Sequence, residues 1–418
     1  MSSCAKAGSF RIDLGLRENI VSSLIAVVTT PATSAAGIRS SLSSLMRDRE
    51  VIEVGDLKDL DAHFAAGQVS AVISASDAPD EMGAKYFEVL SAEYPRIIRI
   101  LIAEDAAKSN RTYGPGTINR IFPTDSSPEE IAEAIENSER LRDLLMSHEL
   151  TNRVSAIRSL PALPKTYKAL RIELNKDDAS VQTVAELIKQ DVGITAKVLQ
   201  IINSAFFGLR TQVENPLQAV GLLGFDAVEN LVLAAGVFAG FDDPGIPGLS
   251  LESIYDSCLE VGGKTRHISS LLGLDRFVTE DAVVSGFLHA LGLVVLMTEF
   301  PEELQLVIDE AEAAGISLLE AQQEVLGVTH AEIGAYLLSQ WGFGDHIVEA
   351  IADHYRPSRV ARPVVNGLTA VHIAYALHCD ANNGARDEQE SALDMEYIDA
   401  LGLSSQLAYL KKVCLAMK

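Results

Sequence analysis

Near residue 150 the hydrophobic pattern changes its period, and this change constrains the fold more than any single motif does. Upstream, short runs rich in Val and Ile alternate with amphipathic stretches. The runs 24–30, 50–54, 71–74, 97–102 and 120–122 read as strands, with helical spacing over 34–47, 57–66 and 82–92 between them. Ser127-Pro-Glu-Glu130 then opens another helix, with Ser at the cap, Pro in the first turn and acids beside the positive helix end. That helix is expected to run on to about Leu150 as a stiff connector. Repeated βα units imply a doubly wound parallel sheet with helices on both faces. From Ser155 the strand pattern stops, and helical periodicity carries to the end of the chain. The polar stretch 380–390 reads as a loop before the last helices. The expected class is therefore multidomain, an N-terminal α/β half followed by an all-α half.

At 418 residues the chain is long enough for two or three domains, and a hydrophobic fraction of 48% supplies well-packed cores. The formal charge of −24 repels phosphate backbones and anionic lipid heads, which argues against a nucleic-acid or membrane-surface partner. Cys4, Cys258, Cys379 and Cys414 form no CxxC pair, as expected of a protein in a reducing cytoplasm. Residues 1–20 contain no apolar run of the secretory kind. The most apolar stretch, 287–297, is short for a bilayer and contains His289, so it is expected to be a buried helix.

The chemistry-bearing residues of the second half are histidines. The apolar helix expected over 283–297 carries His289 followed by Ala290, and His330 and His354 follow on later helices. Lone imidazoles on buried helix faces are more often hydrogen-bonded core residues than ligands. A nucleophile elbow, a phosphate-binding loop and an HExxH helix are all absent from the sequence. The stretch 191–208 has an apolar stripe at helical spacing. Asn203 and Ser204 stand near its end, positioned either to satisfy backbone groups at a corner or to touch a ligand, and Phe206, Phe207 and Gly208 close it.

Two family resemblances organise these features. Residues 21–145 resemble a response-regulator receiver domain of flavodoxin-like fold, through Val69-Ser-Ala-Val-Ile-Ser74, Pro79, Gly83 and the run from Glu93 to Ile102. In receivers an Asp ending the third strand is phosphorylated beside a magnesium-holding acidic pair, with a hydroxyl residue and a Lys completing the site. The corresponding positions here are Ala75, Thr29-Thr30, Ala103 and Thr124, so the resemblance implies a pseudo-receiver without a seat for magnesium. Asp77, two residues past the acceptor position, is better read as a turn former than as a substitute. Residues 155–360 resemble the HDOD domain, a relative of the HD phosphohydrolases. The resemblance rests on Ser159-Leu-Pro-Ala-Leu-Pro164, the 191–208 signature, Gln218–Gly224, Asn230–Leu233, the His289 helix, His330-Ala-Glu-Ile-Gly334, Trp341 and Ala350-Ile-Ala-Asp-His-Tyr355.

HD enzymes hold a divalent metal with adjacent His and Asp on the helix that here reads His289-Ala290, and with an upstream His that here falls near Ser257. Alanine offers no oxygen, and His267 lies ten residues on from Ser257, about 15 Å along a helix. The vestigial set is then His289, Ala290, Ser257, His330 and His354, three imidazoles without an identified carboxylate. Neither a metal nor a cofactor is expected.

The expected layout is a tail over 1–20, the pseudo-receiver over 21–145, a helical linker over 146–154, the HDOD domain over 155–360 and a helical extension over 361–418. The halves are expected to separate near 146–157. The function implied by the resemblances is non-catalytic signal transduction in the bacterial cytoplasm, with signalling proteins as partners by protein–protein contact. Two alternatives stand beside it: a phosphohydrolase or cyclic-dinucleotide phosphodiesterase with a rebuilt metal site, and a sensor that binds a nucleotide without hydrolysing it. Oligomeric state is not readable from these residues.

Overall fold

The computed structural model describes residues 24–28, 37–55, 57–75, 81–94, 96–104, 117–157, 163–176, 178–203, 212–360, 362–382 and 393–415. The strands β1 (Leu24–Val28), β2 (Glu50–Val54), β3 (Val69–Ala75), β4 (Ile98–Ala103) and β5 (Arg120–Pro123) form one parallel sheet in the order β2-β1-β3-β4-β5. Both sheet faces are covered, which is why the central strands read as nearly unbroken apolar runs. Ile25, Val27, Ile73 and Ile100 point toward α1 (Ile38–Leu45) and α4 (Pro128–Leu145), packing with Leu42, Met46, Ile131 and Ile135. Leu24, Ala26, Val72 and Leu101 pack on the other face with Phe64 of α2 (Asp61–Ala65) and with Phe87 and Leu90 of α3 (Glu81–Glu93).

The connector differs from the expected single helix. Ser127 caps α4 with a full capping box to Glu130, as the sequence suggests, but α4 stops at Leu145. Ser147 then accepts a hydrogen bond from Leu150 N and starts α5 (His148–Ser155). A serine with extended backbone offers its oxygen to the next turn, and this local bond competes with continuing the helix. Leu150 and Val154 of α5 are buried in the core of the helical half.

That half contains α6 (Lys165–Leu174), α7 (Val181–Lys189), α8 (Val192–Ile202), α9 (Pro216–Leu223), α10 (Phe225–Phe238) and α11 (Leu251–Leu271). It continues through α12 (Arg276–Leu288), α13 (Leu291–Glu299), α14 (Pro301–Ala314), α15 (Leu318–Leu326), α16 (His330–Gln340), α17 (Asp345–Asp353), α18 (Gly367–Asn382), α19 (Met395–Ala400) and α20 (Leu407–Leu415). The stretch Arg276–Glu299 is long and apolar enough to cross a membrane, but 94% of its apolar window is buried inside the fold, as befits a core hairpin. It is not one helix: α12 ends at Leu288, and α13 begins after Ala290. Gly292, in the first turn of α13, lies against the start of α16 so closely that a Cβ there would overlap the His330 carbonyl and sit 2.6 Å from Gly334 N.

A second apolar cluster joins α11 and α12 to α18, α19 and α20 through Val261, Ile268, Ala282, Val371, Ile373 and Ile398. The C-terminal extension is thus packed against the central helices. Its first long helix continues to Asn382, past the expected loop start at Asp380, which pairs with Lys411 at 3.0 Å, and the rest of the expected loop lies outside the described residues.

The two halves meet through buried polar groups. Arg120 of β5 is ion-paired with Glu349 of α17, and Arg140 of α4 makes a two-pronged pair with Asp353. Asn119 donates to the Asp345 carboxylate and accepts from its backbone N–H, both at 3.0 Å.

Candidate functional site

A cavity of about 750 Å³ opens where α11, the α12–α13 break, the start of α15, and α18 converge. His289 and Ala290 occupy the break itself. Ala290 N-caps α13, its carbonyl accepting from both Leu293 N and Val294 N. The His289 imidazole hydrogen-bonds through Nδ1 to the Gly286 carbonyl at 2.9 Å. A carbonyl only accepts, so Nδ1 carries the proton and Nε2 keeps its lone pair.

The structure brings the predicted imidazoles together. The His289 and His354 rings stand edge to face, 5.4 Å apart between centroids, and Tyr375 lies 5.5 and 5.3 Å from them. His354 donates from Nδ1 to Ile351 O at 2.8 Å, while its Nε2, fully buried, has no partner among the described residues. His330 is fully committed. Nδ1 meets Gln322 Oε1 and Nε2 meets Tyr355 Oη, each at 2.7 Å. Burial pushes His289 down to about 4 and His330 down to about 3, and it takes His354 well below the usual histidine value, so all three are neutral at pH 7.

Carboxylates are present after all, and their positions were not legible in the sequence. Glu320 and Asp394 line the cavity, yet each is bound into a helix start. Glu320 closes the capping box of α15 with Ser317 and also pairs with Arg356 at 3.1 Å. Asp394 caps α19 and accepts from Ser358 N at 3.0 Å. Asp353, next to His354 in sequence, is taken by Arg140.

Ser257, at the position expected for the upstream ligand, faces a histidine that sequence reasoning missed. His378 Nε2 lies 2.9 Å from Ser257 Oγ, and its Nδ1 lies 2.8 Å from Glu260 Oε2. Ser, His and Glu in this order resemble a nucleophile relay, but Ser257 sits mid-helix in α11, where neighbouring N–H groups are spent on helical bonds. No backbone donor pair is left there to hold an oxyanion. The relay ties α11 to α18. A signal for it does exist in the sequence: His372, Tyr375, His378 and Cys379 recur at helical spacing and so share one face of α18.

These residues do not fit a divalent metal. His330 has no free nitrogen, the nearby carboxylates serve as caps or ion pairs, and Ala290 provides no ligand atom. Among the described residues no group of three or more His, Cys, Asp or Glu side chains is arranged to hold one. What the cavity offers instead is a set of hydrogen-bonding groups, with the start of α13 and the Arg356 guanidinium contributing positive potential and the Glu320 and Asp394 carboxylates opposing it.

The other predicted site residues fall elsewhere. Asn203 clamps its corner by exchanging two hydrogen bonds with the Val213 backbone, at 2.7 and 2.8 Å, and does not line the cavity. Ser204, Phe206, Phe207 and Gly208 lie outside the described residues, as do Thr29, Thr30 and Asp77. Ala75 and Ala103 end β3 and β4, and Thr124 follows β5, so all three lie along the carboxyl edge of the sheet.

Residues 160–357, within the helical half, match the HDOD domain family. An uncharacterized protein of Treponema pallidum is 25% identical over 202 residues, which are 48% of this chain and 38% of the relative, so the chain spans well under half of that protein's length. A crystal structure from Shewanella amazonensis, provisionally described as a phosphohydrolase, aligns with a TM-score of 0.52 at 26% identity over 65% of this chain and 95% of its own. An HDOD domain protein of unknown function from Geobacter sulfurreducens aligns with the same TM-score at 19% identity, over 67% of this chain and 98% of its own, a likeness of fold alone.

Proposed function

We propose that this protein is a non-catalytic signal-transduction regulator of the bacterial cytoplasm, in which a degenerate receiver is coupled to an HDOD domain that acts by contact with signalling proteins. The observation that carries the reading is the state of the ligand set around His289. One donor position is alanine, one histidine is bonded at both nitrogens, and each nearby carboxylate serves as a cap or an ion pair. Hydrolysis of the HD kind needs a metal-bound water and an anionic ligand to hold the metal, and neither requirement is met by these groups. The receiver reading is supported by the sheet order and by the alanines at the carboxyl edge, where phosphoryl transfer needs oxygen ligands.

Metal content and turnover of the purified full chain test this reading. The expected result is substoichiometric metal and no hydrolysis of cyclic dinucleotides or phosphomonoesters with Mn²⁺ or Fe²⁺. Turnover abolished by His289→Ala would establish the alternative, a rebuilt HD hydrolase, to which the Shewanella relative's description points. A second reading, a nucleotide bound without hydrolysis, rests on the start of α13 and on Arg356 in the cavity lining, with the Glu320 and Asp394 carboxylates opposing it. A thermal-shift screen with nucleotides separates ligand sensing from contact signalling alone.

A further inference from the structure

Another cavity, about 430 Å³, lies in the seam between the halves, walled by β5 and α4 on one side and by α12 and α17 on the other. It is chemically unlike the histidine cavity. Arg120 and Glu349, ion-paired and 7% and 2% exposed at the side chain, line it. Arg120 Nε and Glu349 Oε1 are both buried without a partner among the described residues. Glu133, also on the wall and 4% exposed, receives a hydrogen bond from Asn137. Asp281 adds a third carboxylate, held by His346 at 2.5 Å. Of the carboxylates lining the cavity, Asp125, Glu130 and Asp275 are exposed, while Glu133, Asp281 and Glu349 are withdrawn from water and face one permanent cation, an imbalance that a buried site resolves by taking up a proton or a positively charged group. Burial and the Glu349 charge push Glu133 up to about 7, against the opposing pull of Arg120, so near neutral pH a cation competes with a proton for this carboxylate. The remaining wall includes apolar surface from Phe122, Phe277 and Val278.

We propose that this seam cavity is a ligand site for a small organic ammonium ion, whose charged end meets Glu133 and Glu349 and whose hydrocarbon part lies against Phe277 and Val278. The volume is within the range of small-molecule sites. Because its walls come from both halves, an occupant binds the docked arrangement and stabilises it over any separated one. The site shares no lining residue with the histidine cavity and does not depend on what that cavity does.

Titration calorimetry and thermal unfolding of the full chain test the proposal with 2-phenylethylamine as probe and 2-phenylethanol as its uncharged match. Saturable binding of the amine with a raised Tm is expected, and at least tenfold weaker binding of the alcohol. Glu133→Gln keeps the shape and an acceptor for Asn137, and is expected to weaken amine binding at least tenfold while leaving the circular dichroism unchanged. Val278→Trp fills the cavity from a partly exposed position and is expected to abolish binding. Equal binding of amine and alcohol, undiminished amine binding by either folded variant, or no saturable binding of the amine would each overturn the proposal.

Discussion

The cavity imidazoles are neutral because they are buried, and this makes stability depend on pH. His289 and His330 sit at about 4 and 3 in the folded protein against 6.5 when free, with His354 lowered alongside them. Between those values the unfolded chain binds protons that the folded chain refuses. Their contribution is therefore complete above pH 6.5 and is lost as the pH falls toward 4. Asp353 works the other way. Burial raises it to about 6 from 3.8, so the folded state takes up a proton first and acidification relieves a cost. Glu133 acts in the same sense as Asp353, and three imidazoles outweigh two carboxyls. The urea midpoint is expected to fall between pH 7.5 and pH 5, and the fall should be shallower in His330→Asn. A midpoint that rises toward pH 5 would contradict the neutral cluster. Ala290→Asp is a second test at this scale. Position 290 is a helix N-cap, where Asp is well tolerated, so the variant should fold. It should gain no Mn²⁺-dependent phosphodiesterase activity, because His330 remains bonded at both nitrogens and Ser257 remains tied to His378. Measurable turnover, with one metal per chain by mass spectrometry, would show that the carboxylate alone was missing.

Among the elements, the crossing of α13 over the start of α16 fixes where His289 and His330 stand. Gly292 permits that approach. Gly292→Ala drives a methyl group into the His330 backbone, and neither helix start can yield without moving an imidazole. A loss of about 3 kcal/mol is expected by chemical denaturation, at the upper end of overpacking costs. Gly221→Ala in α9 is the matched contrast. Its added methyl meets nothing within 4 Å at an exposed helix position, so a gain of about 0.5–1 kcal/mol is expected from propensity and the reduced freedom of the unfolded chain. If both variants were destabilised equally, backbone approach would not be what distinguishes them.

At the scale of the whole molecule, the halves are held by charges withdrawn from water. Arg120→Met leaves Glu349 buried without its partner, and about 3–5 kcal/mol of destabilisation is expected. The double variant Arg120→Met with Glu349→Met replaces the pair by apolar volume and should return to within about 1 kcal/mol of the natural chain. An additive double variant, measured in the same denaturation series, would mean that the two side chains do not act as a pair. A chain beginning near Ser155 would lose Arg120 and Arg140 together with the buried Leu141, Leu150 and Val154, leaving Glu349 and Asp353 uncompensated. Its unfolding midpoint should lie well below that of the full chain.

Local pattern alone determined a good part of this protein. The βα alternation before residue 150, the Ser127 capping box and the helical run that follows are legible because each depends on neighbours within a few residues. The same holds for His289 beside Ala290, since the absence of an oxygen is a property of the residue. Tertiary structure decided the rest. It broke the apolar helix at 289–290 and set His378 against Ser257 across 121 residues. It also paired Arg120 with Glu349 across 229 residues and brought Arg356 to Glu320 and Ser358 to Asp394, each across 36 residues. Which distant side chains meet is fixed by how helix faces pack, and packing sums many weak contacts that no local window of sequence contains.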